Sequence, residues 1–344
     1  MENKLKFAVL GYGHIGTKHA EMISQNPDCE NVAIIDTKFS TEETKFSDLI
    51  PKFSSLESFL KSEIPVDIIV VCTPNGLHFK QSEAILNSGI NVIVEKPIAL
   101  DSAEAEILEA LAKKKNLQLF PVMQNRFSPP AVWLRSLIDT KVLGKIFMVQ
   151  ISCYWNRNDK YYTSDSWRGT KSLDGGTLYT QFSHFLDILY WLFGDITNIR
   201  SKFADYNHTH LTDFEDSGII TFDFLNGGMG SFNFSTSVWN ENLESSLTII
   251  AENGSVKIGG QYMNDVEKCI IKDYQMPNLA ETNKPNDYGN FKGSAQNHQY
   301  LYENIVKVMR FNEKLEITPY ESIQVIKMIE NIYSKNSDNI KHEN

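Results

Sequence analysis

Three glycines in the run Gly11-Tyr12-Gly13-His14-Ile15-Gly16 form a GxGxxG spacing. Alone, such a run marks only a glycine-rich turn. Here it follows the apolar run Leu5 to Leu10 and opens a helical pattern from Ile15, and the next strand-like run ends in Asp36, twenty residues after Gly16. That context predicts a dinucleotide site. Gly11 allows the tight turn, Gly13 lets backbone approach a pyrophosphate, and Gly16 lets helix pack on strand. His14 and Ile15 then bring backbone N–H groups of the helix N-terminus to the phosphates. Asp36 accepts both ribose hydroxyls, and its charge opposes a 2′-phosphate, so the pattern predicts NAD rather than NADP. A second polar cluster, Thr73-Pro74-Asn75-Gly76-Leu77-His78, follows the strand-like run Asp67 to Cys72. Ligands of open α/β sheets sit outside the carboxyl ends of strands. Thr73 and Asn75 are therefore placed to touch the cofactor, and His78 to stack or hydrogen-bond near the nicotinamide ribose. Asn75 reads equally well as the cap of a turn.

The fourth strand-like run ends in Glu95-Lys96-Pro97. An EKP after a GxGxxG unit and a TPN turn resembles the Gfo/Idh/MocA oxidoreductase family, and the resemblance runs over nearly the whole chain. It implies that Lys96 points into the active site beside the nicotinamide, with Glu95 among the cofactor contacts and a cis peptide before Pro97. An ammonium there stabilises a developing alkoxide and relays a proton; without the family, Lys96 is a surface lysine at a strand end. The family's GGGxxxDxGxH segment matches Asp174 to His184, with Asp174 for the first Gly, Thr180 for the Asp and Phe182 for the Gly before the His. Thr180 cannot serve as a general base, which leaves Lys96 and His184 as the acid–base candidates. On a helix expected over Thr177 to Phe193, Thr180 and His184 are four apart and share a face beside Gln181, off the apolar stripe of Leu178, Phe182, Phe185, Leu189 and Leu192.

The run around this segment is similar to one subgroup of the family, the WlbA/WbpB-type enzymes, which oxidise C3 of a UDP-linked N-acetylglucosaminuronic acid in surface-polysaccharide pathways. The matching residues are Tyr154-Trp155, Tyr161-Tyr162, Trp167-Arg168-Gly169, Asp174-Gly175-Gly176 and the Gln181, Ser183-His184, Asp187 spacing. The subgroup tends to have Asn at Thr180. The resemblance implies substrate contacts from Arg126, Tyr154, Arg168, Thr180, Gln181 and His184. Arg168 suits a carboxylate or phosphate, with Arg157 and Arg126 behind it, and reads equally as a surface Arg beside a packed Trp. Gln124-Asn125-Arg126 follows the last strand of the first domain, and Asn125 is assigned to the cofactor. Asn297-His298, opening a late helix, is a further candidate to reach the substrate.

These residues need two kinds of scaffold. The first third alternates strand-like and helix-like runs, which implies a doubly wound parallel sheet, a Rossmann domain over residues 1–124. Beyond it lie a helix after Pro129-Pro130, a long strand from Ile146 to Trp155, strand-like runs at 196–206, 216–225, 228–238, 245–251 and 254–259, and helices near 295–311 and 319–335. Such consecutive strands imply an open, mostly antiparallel sheet in a substrate-binding and oligomerisation domain over 125–335, with a polar tail at 336–344. By resemblance, the flat outer face of that sheet implies a homodimer or homotetramer.

The chain has 344 residues, 42% hydrophobic and 22% charged, enough for two globular domains. A formal net charge of -10 with no basic stripe argues against nucleic acid and a membrane surface. Cys29, Cys72, Cys153 and Cys269 are scattered, as reduced thiols of a cytoplasmic protein would be. No metal-ligand spacing, signal peptide or membrane-length apolar stretch is evident, so no metal is expected. The expectation is an NAD-dependent dehydrogenase acting on the CH–OH group of a nucleotide sugar. The competing readings are a dehydrogenase of a free sugar or of an inositol-type polyol, and a non-catalytic dinucleotide-binding regulator, which would not need both Lys96 and His184.

Overall fold

Short runs rich in Val, Ile and Ala, with no polar alternation, form strands covered on both faces, as parallel sheets require. In this computed structural model, which describes residues 4–39, 50–163, 167–289 and 291–336, they build a six-stranded sheet. Its elements are β1 (Leu5–Leu10), α1 (His14–Gln25), β2 (Cys29–Ile35), β3 (Lys52–Phe53), α2 (Leu56–Leu60), β4 (Ile68–Val71), α3 (His78–Asn87), β5 (Asn91–Val94), α4 (Ser102–Lys115) and β6 (Leu119–Pro121). The strand order is β3-β2-β1-β4-β5-β6, every pair parallel. The order reverses between β1 and β4, the switch point where such sheets open a crevice beyond their carboxyl ends. Asp101 caps α4 by accepting from the N–H groups of Ala103 (2.8 Å) and Glu104 (3.1 Å).

The remaining elements are α5 (Pro129–Asp139), β7 (Ile146–Tyr154), α6 (Asp159–Thr163), α7 (Lys171–Asp174), α8 (Thr177–Thr180), α9 (Ser183–Phe193), β8 (Ile196–Ala204), β9 (Ser217–Phe224), β10 (Met229–Ser235), β11 (Glu244–Ala251), β12 (Gly254–Gly259), β13 (Asp265–Ile271), a ribbon of β14 (Pro285–Asp287) with β15 (Lys292–Ala295), α10 (His298–Phe311) and α11 (Pro319–Ser334). A seven-stranded sheet runs β13-β12-β11-β7-β10-β9-β8. Its pairs are antiparallel except β7 with β10. Period-two alternation gives it one apolar core face, with Val149, Ile151, Ile220, Phe222, Phe232, Phe234, Leu247 and Ile249 buried. Met148, Ile219, Met229 and Ile250, out of phase with these, are exposed. A Rossmann sheet and a mostly antiparallel open sheet are the architecture the sequence implies.

By contact the chain divides into Met1–Met123 with His298–Ile323, and Gln124–Asn297 with Gln324–Asn344. The sequence reading placed one boundary, at residue 124, and assigned 125–335 to the second domain; instead α10 returns to the first unit. Its Tyr302 meets Phe7 edge-on at 5.6 Å, and Arg310 pairs with Asp28 at 2.5 Å. The continuous helix expected over Thr177 to Phe193 is in fact two, α8 and α9, interrupted at Gln181 and Phe182. Strands β3 and β13 have no counterpart among the runs expected from sequence. Of the polar tail, residues 337–344 lie outside the described residues.

Candidate active site

In the first unit the glycine turn is sterically committed. Gly11 has φ +90°, and a Cβ on it would meet the Cys72 carbonyl oxygen at 2.7 Å. A Cβ on Gly16 would meet the Gly11 oxygen at 1.8 Å, so only glycine permits this closure. Gly13 is open on its Cα side and N-caps α1 with no side-chain hydrogen bond. His14 and Ile15 follow in the first turn, where backbone N–H groups suit a pyrophosphate. Asp36 lies just past β2. Its carboxylate accepts from the Tyr12 N–H (2.6 Å) and the Lys38 N–H (2.9 Å), with the Lys38 ammonium 4.0 Å away. These bonds fix the carboxylate beside the glycine turn, as a ribose contact requires. The residues present therefore fit a dinucleotide.

Past β4, the Thr73 hydroxyl donates to Gln81 Oε1 (2.5 Å), and Asn75 is buried in a 3₁₀ turn over Asn75–Leu77. Two expectations need correction. His78 is fully buried, with Nδ1 2.6 Å from the Pro97 carbonyl and Nε2 2.8 Å from that of Thr73. Both nitrogens are used within the protein, so His78 braces two strand ends rather than offering its ring to a nicotinamide ribose. Burial lowers its pKa, against the pull of the two carbonyls. Glu95 likewise turns inward. Oε1 lies 2.9 Å from His19 Nε2 and 3.5 Å from His298 Nε2, and Oε2 accepts from the Lys96 N–H at 3.1 Å. Burial alone would raise Glu95; the hydrogen bonds from His19 and His298 outweigh it and hold the carboxyl well below the usual range. Glu95 thus anchors the backbone that carries Lys96 instead of contacting a cofactor. Lys96 itself is half-buried beyond β5, and its peptide to Pro97 is cis.

The second unit gathers the other polar residues. Arg126 was expected to touch substrate. Its guanidinium instead makes a buried two-pronged ion pair with Asp187 of α9, at 2.8 and 2.7 Å. Asn125 is buried, and its Oδ1 accepts from Ser294 Oγ on β15 at 2.5 Å. Gln181 sits at the break between α8 and α9; its Oε1 accepts from Arg157 Nε (2.7 Å) and its Nε2 donates to the Tyr161 hydroxyl (2.6 Å). The Thr180 hydroxyl donates to the Asp174 carboxylate, which also accepts from the Gly169 N–H at 2.9 Å. Thr180 thus lies against a carboxylate, that of the buried Asp174 six residues before it. His184 is buried in the first turn of α9, and Tyr154 is half-buried at the end of β7. The expected shared face of Thr180 and His184 does not exist, because the two lie in different helices.

Two cations stand on aromatic faces here. Arg157 is buried, 4.7 Å from the Trp155 ring, 5.0 Å from Tyr161 and 5.1 Å from Phe291. Arg168, half-buried, lies 4.4 Å over Tyr161 and 5.2 Å from Phe291. Such planes hold guanidinium groups in one orientation and suit anion recognition. Sequence reasoning missed His19 and Tyr302 altogether. His19 was legible as the residue three beyond Gly16, on the face α1 must bury; nothing in the sequence ties Tyr302 to Phe7.

Comparison with known proteins agrees with this geometry. Residues 5–122 match the oxidoreductase family's NAD-binding Rossmann fold, and residues 132–257 match the GFO/IDH/MocA C-terminal domain. The chain is similar to the WlbA dehydrogenase of Bordetella pertussis, solved in complex with NADH and UDP-GlcNAcA: 27% identity, TM-score 0.86, covering 98% of each chain. The WlbA enzyme of Chromobacterium violaceum, solved with the same pair, is also 27% identical, at TM-score 0.84 over 97% of this chain and 94% of that one. The scyllo-inositol 2-dehydrogenase (NADP(+)) of Bacillus subtilis is 28% identical over 193 residues, 55% of this chain and 52% of that protein. Among the described residues no helix is long and apolar enough to cross a membrane. With both domains matched and the glycine turn, Asp36 and Lys96 in place, the chain is an NAD-dependent, sugar-related oxidoreductase and belongs to the Gfo/Idh/MocA family.

Proposed function

We propose that the enzyme oxidises C3 of a UDP-linked N-acetylated uronic sugar, UDP-N-acetylglucosaminuronate in the first instance, for surface-polysaccharide sugar biosynthesis. The observation that carries this reading is the aromatic-stacked guanidinium of Arg168, in the same unit as His184; Arg157 behind it is buried and donates to Gln181, Asn156 and Lys292. A chain of net charge -10 has little general attraction for an anion, so an oriented, half-buried cation marks a local demand for negative charge, such as a carboxylate or a diphosphate. Bound NAD supplies the hydride acceptor. Lys96 and His184 share the proton work: His184 takes the proton of the C3 hydroxyl, and the ammonium of Lys96 stabilises the charge that develops on that oxygen. The Thr180 hydroxyl, its proton committed to Asp174, presents its oxygen as an acceptor to a sugar hydroxyl.

The test is to titrate NAD-loaded enzyme with UDP-N-acetylglucosaminuronate, UDP-N-acetylglucosamine and myo-inositol while following NADH absorbance. The uronate should give the strongest reduction. Reduction by inositol alone overturns the sugar-nucleotide reading and favours the polyol one, which the scyllo-inositol 2-dehydrogenase relative supports.

We also propose a homo-oligomer. Met148, Ile219, Met229 and Ile250 lie on the outer face of the second sheet, between 40% and 59% exposed, an apolar surface that a second copy would cover. Light scattering of wild type against Ile219→Lys should show a loss of assembled mass.

A further inference from the structure

The loop between β8 and β9, residues 205–216, leaves and re-enters the sheet at one neck. Ala204 pairs with Ser217 in register, and the Asp216 N–H donates to the Ala204 carbonyl at 3.1 Å. This neck sets Asp205 and Asp216 against each other, and His208 folds back from the loop between them. The three side chains offer ligand atoms that all lie within 4.8 Å of one another.

The His208 ring and Asp216 Oδ1 point to a ligand rather than a closed hydrogen-bond network, while Asp205 Oδ1 accepts from the His208 N–H at 2.8 Å. His208 is 1% exposed, and neither ring nitrogen has a hydrogen-bond partner. Its Nδ1 is 3.7 Å from Asp216 Oδ2, too far for a hydrogen bond. Asp216 Oδ2 is already saturated, accepting from the N–H groups of Tyr206 (3.0 Å) and Asn207 (2.7 Å) and from Ser237 Oγ (2.8 Å). Asp216 Oδ1 is buried with no partner at all. Leaving a ring and a carboxylate oxygen unsatisfied away from water is costly, and native proteins rarely do so without a bound group. Among the described residues no Lys or Arg comes within ion-pair distance of either carboxylate.

We propose that Asp205, His208 and Asp216 bind one divalent transition-metal ion, with Zn2+ or Mn2+ as the fitting class. One imidazole with two carboxylates balances a dication and gives a mixed nitrogen–oxygen donor set, whereas Mg2+ and Ca2+ take oxygen alone. Donors about 2.1 Å from a tetrahedral ion stand about 3.4 Å apart, so binding needs the loop to close by only about 1 Å. The three amide and hydroxyl donors on Asp216 Oδ2 hold that carboxylate in place, as outer-shell bonds do around metal ligands. In the other trio of possible ligands, His19 and Glu95 hydrogen-bond each other, with the Tyr302 hydroxyl on His19 and the Lys96 N–H on Glu95, and only His298 Nε2, 3.5 Å from Glu95, lacks a hydrogen-bond partner. The site arises from the closure of a hairpin neck rather than from ligand spacing along the chain, which is why no metal-ligand pattern shows in the sequence.

The ion's role is to fasten. The same loop docks on the segment that carries Arg168. The Asp213 N–H donates to the Gly169 carbonyl at 2.8 Å, a Cβ on Gly169 would meet the Leu211 carbonyl at 2.4 Å, and the Tyr162 ring lies 5.1 Å from the His208 ring. Fixing the neck therefore fixes the backing of Trp167-Arg168-Gly169.

The experiment uses the full-length, tag-free chain, stripped with EDTA and moved to chelator-free buffer. It is titrated calorimetrically with ZnCl2, MnCl2, MgCl2 and CaCl2, and its thermal unfolding midpoint is read with and without each metal. The expected result is one Zn2+ or Mn2+ per chain, bound at least tenfold more tightly than Mg2+ or Ca2+ and raising the midpoint by a few degrees. His208→Ala and Asp205→Asn should each weaken that binding about tenfold or more and abolish the midpoint shift. His298→Gln, in the other trio, should bind as wild type does. If circular dichroism shows that His208→Ala does not fold, Asp205→Asn, at the more exposed position, carries the test. Absence of binding by wild type at millimolar Zn2+ and Mn2+, undiminished binding in the folded variants, or loss confined to His298→Gln overturns the proposal.

Discussion

Asp187→Ala should be among the most destabilising single changes in the second unit. Asp187 and Arg126 are 0% and 3% exposed, and two hydrogen bonds of 2.8 and 2.7 Å join them. Truncating the acid strands a guanidinium that water cannot reach. Breaking a buried pair from one side costs about 3–5 kcal/mol. The pair itself is worth far less, because bringing both charges out of water offsets most of their attraction. A double variant, Arg126→Met with Asp187→Leu, should therefore recover to within about 1 kcal/mol of wild type or exceed it. Urea unfolding of wild type, Arg126→Met, Asp187→Leu and the double variant gives the coupling directly, with Asp187→Ala measured beside them. Trp191, whose ring lies 5.3 Å from the Arg126 guanidinium, provides a fluorescence reporter beside the pair. A loss under about 1 kcal/mol for Asp187→Ala, or additive losses in the double variant, would refute the reasoning.

Asp36→Ala should narrow the preference for NAD over NADP, measured as the ratio of the two binding constants; equal binding of both by wild type would remove the role given to Asp36. Lys96→Ala and His184→Ala should each lower kcat by about two to four orders of magnitude, while NAD binding followed by fluorescence survives His184→Ala; near wild-type turnover in both would end the acid–base assignment. Burial lowers the His298 pKa from 6.5, so below about pH 6.5 the unfolded chain binds a proton that the folded chain resists. Stability should then fall as pH drops from 6.5, and fall less steeply in His298→Gln, as read by unfolding midpoints from pH 7 to pH 5. Identical slopes for the two proteins would assign the acid loss to other groups.

The parts of the site legible in sequence are those whose physics is local. The glycine turn, Asp36, and Lys96 at a strand end follow from short spacings in a parallel sheet, where strand ends must converge. Arg126 looked available because its partner, Asp187, is sixty-one residues away. His78 and Glu95 have side chains that often do chemistry, but their carbonyl and imidazole partners come from other elements, and only folding reveals that they are spent. The break between α8 and α9 was hidden for the same reason. The apolar stripe runs on through it, while Gln181 at the break is held by Arg157 and Tyr161, twenty-four and twenty residues upstream. Strand β13 lies at the sheet's edge, where Glu267 and Lys268 blur the alternation that marks a half-buried strand.

The return of α10 to the first unit bears on how this protein is made. Tyr302 supplies an edge contact to Phe7 and a hydrogen bond to His19, and Arg310 neutralises Asp28, so the amino-terminal sheet shares its packing with residues translated almost three hundred positions later. A ribosome that has released the first 123 residues has released every strand of that sheet but not the helix that covers α1. Until α10 emerges, Phe7 and His19 must wait with an incomplete cover, a period in which nascent chains are open to chaperones and to self-association. A fragment ending near residue 123 should accordingly be poorly soluble. A circular permutant opened just before α10, so that α10 and α11 precede the amino-terminal strand, would supply the cover early and should refold faster than the natural order, since it replaces a very long loop closure with a shorter one.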